Sequence, residues 1–134
     1  LFHEKLKSYT NVHIVEQIGH GLVQLIEEGN INSPEMMELL KTYLKPMITQ
    51  NIDYLVLGCS HYPYLIPQIK KILPKHIKII DSGEAVAKQT KIILEQNNLL
   101  KETKGSYSTF YTNANPSVLE SILAFKENIS YLDF

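Results

Sequence analysis

The sequence predicts an α/β fold, with a mainly parallel sheet flanked by helices. Three observations carry that expectation. Short runs rich in branched residues alternate with stretches of helical periodicity. The run "DYLVLG" at 53–58 is almost continuously apolar, as expected of a strand covered on both faces. The connections between these segments are short, which leaves the helices to act as crossovers between parallel strands.

Taken in order, "NVHIV" (11–15) reads as a first strand. Ile18, Leu22, Leu25 and Ile26 then recur at helical spacing, with Gly29 as the stop signal. In "NSPEMMELLKTYLKPMI", Ser33 is the expected N-cap, Pro34 takes the first helical position and Glu35 sits in the first turn. Met37, Leu40, Leu44 and Ile48 form the expected apolar face, and Pro46 is expected to kink or end the helix. After the strand at 53–58 a proline-containing connection leads into "IPQIKKIL", read as a helix. "HIKIID" (76–81) is the next strand, and "SGEAVAKQTKIILEQNN" the next helix, with Ser82 as cap. "SYSTFYT" (106–112) alternates as a strand does, Asn115 and Pro116 open "SVLESILAFKEN", and "ISYL" follows as the last strand. "LLKETKGS" (99–106) reads as a surface loop.

Composition narrows the function classes. The chain has 134 residues, 44% of them hydrophobic, and a formal net charge of −1 with its acidic and basic groups well mixed. All 13 basic residues are lysine. The absence of arginine removes bidentate phosphate clamps and guanine contacts, so nucleic acid is not an expected partner. One cysteine excludes an intrachain disulfide framework and fits a reducing compartment. No apolar stretch approaches a membrane span, and "LFHEKLKSYT" lacks the pattern of a secretory signal. These features lead to the expectation of a cytoplasmic chain without membrane contact. Its first methionine is Met36, from which we expect a piece of something longer.

The chemistry concentrates in "GCSH" (58–61), at the carboxyl end of a strand, where open α/β sheets place ligands. A free thiol has a pKa of about 8.5, and an adjacent imidazole or backbone N–H groups favour its thiolate. Cys59 has access to both influences, His61 supplies the imidazole, and Ser60 adds a hydroxyl suited to a carboxylate. Gly58 leaves room for a ligand next to the thiol. Against this stands the packing role most single cysteines have, although Ser-His is a poor continuation of an apolar core. Zinc ligation by Cys59 and His61 with His3, His13, His20 or His76 lacks the usual paired spacing. A cysteine phosphatase requires an arginine that the chain does not contain. A cysteine hydrolase built on Cys59 and His61, side chains two apart on an extended segment, has no evident third residue to orient the imidazole. Neither a metal nor another cofactor is expected.

The motif "LGCSHYP" (57–63) resembles the Leu-Gly-Cys-Thr-His-Tyr-Pro strand end of glutamate racemase, a cofactor-independent amino-acid racemase. "LVQLIEEG" (22–29) is similar to that family's Phe-Val-Pro-Leu-Val-Glu-x-Gly stretch. "IIDSGEAVAKQT" (79–90) and "FYTNANPSVLESIL" (110–123) resemble later segments in the same order. Related aspartate racemases usually carry glutamate at the position of His61, so the resemblance favours glutamate as substrate. It implies a two-base mechanism, in which one cysteine removes the α-proton and a second returns a proton to the opposite face. Cys59 matches the second cysteine, and His61 the residue that assists it and helps bind substrate. Ser60 stands for the threonine that holds a substrate carboxylate. Glu27 takes an acidic position of the pocket, with Glu28 as the alternative register.

The chain departs from the family at "IGHGLVQ" (18–24), which replaces Ala-Cys-Pro-Leu-Phe-Val-Pro. The family's Asp-Ser-Gly and Cys-Asn-Thr motifs, the latter carrying the first cysteine, have no counterpart here; "DSG" at 81–83 aligns with a late segment. The resemblance therefore implies the C-terminal half of a two-domain racemase. Residues 1–81 would be part of the second domain, and residues 82–134 would complete the first. Such a piece is expected to be inactive alone, since one thiol serves one face, and, with apolar surface exposed, to pair with itself or to show partial disorder. The intact enzyme would supply D-glutamate for peptidoglycan. Two other readings are a superfamily enzyme acting on a different acid and a non-catalytic module binding a dicarboxylate.

Overall fold

The computed structural model describes residue 9 and residues 11–101, 108–123 and 128–134. Its helices and parallel strands bear out the α/β reading. Helix α1 spans Leu22–Glu27 and α2 spans Pro34–Thr49. Strand β1 is Tyr54–Val56, followed by a 3-10 turn at Tyr62–Leu65 that runs into α3, Ile66–Ile72. Strand β2 is Lys78–Ile80, α4 is Gly83–Gln96, β3 is Phe110–Thr112, α5 is Pro116–Leu123 and β4 is Ile129–Tyr131. Among the described residues the strands form two separate parallel pairs rather than one sheet: β1 with β2, and β3 with β4. In the first pair Tyr54 lies opposite Lys78, Leu55 opposite Ile79 and Val56 opposite Ile80.

The sequence accounts for most of these boundaries. α2 starts where Ser33 accepts a hydrogen bond from the Met36 N–H at 3.0 Å, with Pro34 inside the first turn. α1 stops at Gly29, whose φ of 77° suits a residue without Cβ. Its N–H donates to Ile26 O at 3.0 Å and that of Asn30 to Leu25 O at 2.7 Å, which completes a Schellman end. α5 opens with the Asn115 side chain accepting from the Ser117 N–H at 3.0 Å.

Several expectations are corrected. Residues 11–15 do not form a strand; Val12 is exposed, and no ladder partner lies beside them among the described residues. A strand without a neighbour leaves its backbone groups to water and gains nothing from being extended. The helix expected from Ile18 begins instead at Leu22, because Gly21 turns the chain with a φ of 79° and leaves Ile18 in solvent. Pro46 neither ends nor breaks α2, which continues to Thr49. Pro46 and Thr42 are both exposed, so water can satisfy the carbonyl that loses its N–H partner. The buried face of α2 runs through Met36, Leu40 and Leu44, with Leu39, Tyr43, Met47 and Ile48 at its flank; Met37 is not part of it. β1 is covered on one face only: Leu55 is buried, whereas Tyr54 is 52% and Val56 57% exposed. Ser82 makes no side-chain cap; the Asp81 carboxylate accepts from the Gly83 N–H at 2.8 Å in its place. The first residues of the strand expected at 106–112, part of the loop at 99–106 and residues 124–127 of the helix from Asn115 lie outside the described residues.

The core gathers Leu22, Leu25 and Ile26 from α1, Met36, Leu40 and Leu44 from α2, Leu55 from β1, and Leu65 and Ile69 around α3. Ile26, Met36 and Leu65 are fully enclosed. The later segment touches this core through Ile122 of α5, while α4 buries no residue. No helix among the described residues is long and apolar enough to cross a membrane.

Candidate active site at Cys59

Cys59 follows β1 by way of Leu57 and Gly58, so the end of that strand sets its position. Leu57 is buried and its N–H donates to Ile80 O at 2.8 Å, which ties the strand exit to β2. The chain then turns: the Tyr62 N–H donates to Cys59 O at 3.2 Å, and the Tyr64 N–H to His61 O at 3.2 Å. The segment carrying Cys59 and His61 is thus a tight turn and not the extended stretch assumed for side chains two apart. A Cβ on Gly58 would meet nothing within 4 Å beyond its chain neighbours, so the space beside Gly58 is open. A cleft of about 460 Å3 lined by Ile66, Lys70, Lys75 and Asp81 among others does not include Cys59.

Cys59 is half-buried, and its Sγ lies 3.9 Å from Nδ1 of His61. Ser60 Oγ approaches the same nitrogen at 3.4 Å. On the far side of the ring, Nε2 of His61 lies 3.2 Å from Oε1 of Glu27, at the end of α1. Glu28 points elsewhere: its carboxylate accepts from the side-chain amides of Gln24 at 2.9 Å and Asn30 at 3.2 Å. Glu27 therefore reaches the imidazole and Glu28 does not.

This order fixes the chemistry of the ring. An ionised carboxylate only accepts, so Nε2 must carry a hydrogen toward Glu27. In the neutral ring Nδ1 is then the unprotonated nitrogen, and it faces the thiol and the Ser60 hydroxyl. The arrangement makes His61 an acceptor for the Cys59 proton and, once protonated, a donor back to sulfur. The Tyr62 phenol is near enough to Cys59 to feel a charge on its sulfur. Burial, then the negative charge of a Cys59 thiolate, pushes that phenol above its ordinary value of 10.0, so its O–H remains a donor at neutral pH.

All four residues singled out in the sequence meet here: Cys59, Ser60, His61 and Glu27. The reading of the bare motif found no third residue to orient the imidazole; the structure supplies Glu27 at the end of α1. Two further residues hold the turn before α1 and were not picked out: the Tyr43 phenol donates to His20 O at 2.8 Å and the Tyr62 phenol to Gly19 O at 3.4 Å. Tyr62 lies inside the quoted motif, whereas nothing in the local pattern of α2 singles out Tyr43.

A thiol, an imidazole and a carboxylate in line beyond a parallel strand are groups that the class of proton-transferring or nucleophilic thiol proteins uses. Comparison narrows the class. The chain is 39% identical over 114 residues to a glutamate racemase of Pseudomonas entomophila, covering 85% of this chain and 43% of that protein. It is 41% identical over 113 residues to one of Pseudomonas putida, covering 84% and 43%. Among solved structures, glutamate racemase isoform RacE1 of Bacillus anthracis superposes with a TM-score of 0.78 at 26% identity, over 99% of this chain and 52% of that one. The Francisella tularensis glutamate racemase in complex with D-glutamate gives 0.77 at 28% identity, over 98% and 51%. No family model matches the chain. The resemblance to glutamate racemases thus holds in both sequence and fold, and the chain spans about half the length of the relatives it matches.

Proposed function

We propose that this chain carries one of the two acid–base groups of an enzyme that interconverts L- and D-glutamate without a cofactor. The observation that supports this most is the line from Cys59 Sγ through the His61 ring to Glu27, at 3.9 and 3.2 Å. In this reading His61 Nδ1 takes the thiol proton and the Cys59 thiolate removes hydrogen from Cα on one face of the substrate. On return, the thiol protonates the planar carbanion and His61 restores its proton. Glu27 holds the ring in the tautomer that leaves Nδ1 free, and lies at the edge of the substrate pocket. The Ser60 hydroxyl donates to a substrate carboxylate. Proton transfer by a positioned group of this kind contributes on the order of 10²–10⁴-fold.

One thiol addresses one face, so the group for the opposite face comes from outside this chain, and the chain alone does not racemise. We assign residues 1–81 to the domain that bears Cys59 and residues 82–134 to the completion of a partner domain. The exposed apolar residues Val86, Ile92 and Ile93 of α4 fit that assignment and, in the isolated chain, self-association. The product D-glutamate would serve peptidoglycan synthesis.

The test is a chimera in which this chain replaces the segment it matches in the Pseudomonas putida glutamate racemase. Incubated with L-glutamate in deuterium oxide, it should place deuterium at Cα, and its Cys59→Ser form should lose that exchange. A folded chimera whose exchange is indifferent to Cys59 would refute the reading.

A further inference from the structure

The turn that opens α1 is held from two sides. The Tyr43 phenol, on α2, donates to the His20 carbonyl at 2.8 Å. The Tyr62 phenol donates to the Gly19 carbonyl in a longer contact of 3.4 Å. Gly19 leaves the space for this approach: a Cβ there would lie 2.6 Å from Leu22 Cδ1 and 2.7 Å from the Tyr62 oxygen. At the other end of the same short helix, Glu27 meets His61. The consecutive residues His61 and Tyr62 therefore engage opposite ends of α1, and Tyr43 secures the Tyr62 end from α2. Six residues of helix span about 9 Å. A shift of α1 along its axis breaks one end contact or the other, and a slip of about 1 Å takes Glu27 out of hydrogen-bond range of the ring.

We infer that Tyr43 and Tyr62 are positioning residues: by clasping the Gly19–His20 turn they set the reach of Glu27 to His61, and through it the ability of His61 to take the Cys59 proton. In this account both tyrosines act through the placement of α1. The raised phenol of Tyr62 keeps its O–H bound to oxygen over the working range, as a lasting clasp requires. The inference rests on the reading of Cys59, His61 and Glu27 as a proton-transfer line.

Because Cys59 is the chain's one cysteine, its alkylation rate by iodoacetamide at neutral pH reports proton removal from that thiol alone. The experiment is a cycle on the 134-residue chain: Tyr43→Phe, Tyr62→Phe and Glu27→Gln singly, and each tyrosine variant combined with Glu27→Gln. Loss of the Tyr43 hydrogen bond should slow alkylation about fivefold, with a smaller loss for the longer Tyr62 contact. Neither change should slow it further once Glu27 is glutamine. A tyrosine acting only on general stability would keep its effect in the Glu27→Gln background, and that result overturns the inference. So does a rate unchanged in both tyrosine variants while Glu27→Gln slows it; the clasp then fails and the proton-transfer line stands. A rate unchanged by Glu27→Gln overturns both. If Tyr43→Phe does not fold, as judged by circular dichroism, the Tyr62→Phe arm of the cycle carries the test by the same criteria.

Discussion

Cys59 owes its expected reactivity to an ordering of hydrogen-bond roles rather than to burial. Glu27 can only accept, so His61 presents its basic nitrogen to sulfur, and that assignment follows from two contacts at 3.2 and 3.9 Å. Both His61 and Glu27 are partly exposed, which makes the pair a geometric device more than a source of stability. Tyr62 leads to a prediction at this scale. Its folded phenol titrates above the ordinary value of 10.0, so its contribution to stability is intact below about pH 10. Above that, the unfolded chain releases the proton first and stability falls as pH rises through the folded value. The thermal midpoint should therefore drop more steeply above about pH 10 in the parent than in Tyr62→Phe; parallel curves would contradict the assignment. Cys59, Ser60 and His61 were legible in the sequence because they are contiguous and chemically out of place in an apolar run. The Glu27–His61 contact was not, because it depends on how α1 packs beneath the strand exit, which local pattern does not encode.

At the scale of elements, α2 and α4 were the most legible, since each is long enough for its helical period to show. The apolar face of α2 was nonetheless misplaced by a residue, toward Met37 instead of Met36, because two adjacent methionines satisfy the same spacing. The strand at 11–15 failed for another reason: branched residues favour extension only where a neighbouring strand receives them. Burial of β1 failed similarly, since whether a second layer covers Tyr54 and Val56 is a property of the assembled fold. The Ser33 cap is the clearest local device, and its removal is measurable. Ser33→Ala should cost about 1 kcal/mol in urea unfolding, with an unchanged denaturant slope. A loss below about 0.3 kcal/mol would mean that the Ser33–Met36 bond does not cap α2.

Across the whole molecule, the enclosed core and the exposed apolar residues of α4 belong to different elements. α1, α2, β1 and α3 enclose Ile26, Met36 and Leu65, whereas α4 exposes Val86, Ile92 and Ile93, and Phe134 is 77% exposed. A groove of about 290 Å3 along α4, lined by Val86, Gln89, Thr90, Ile93 and Leu94, extends this surface. Such a face is expected to self-associate in solution. Light scattering should show mass rising with concentration, and the double change Val86→Lys with Ile93→Lys should suppress the rise. A mass independent of concentration would contradict the expectation.

The most direct measurement on the central claim is the alkylation of Cys59 in the native chain, compared with His61→Gln and with the unfolded chain. A thiol in contact with a basic imidazole nitrogen is predicted to react in the folded state and to react more slowly once that nitrogen is gone. Labelling only after unfolding, or at a rate indifferent to His61, would leave Cys59 as a packing residue and contradict the account.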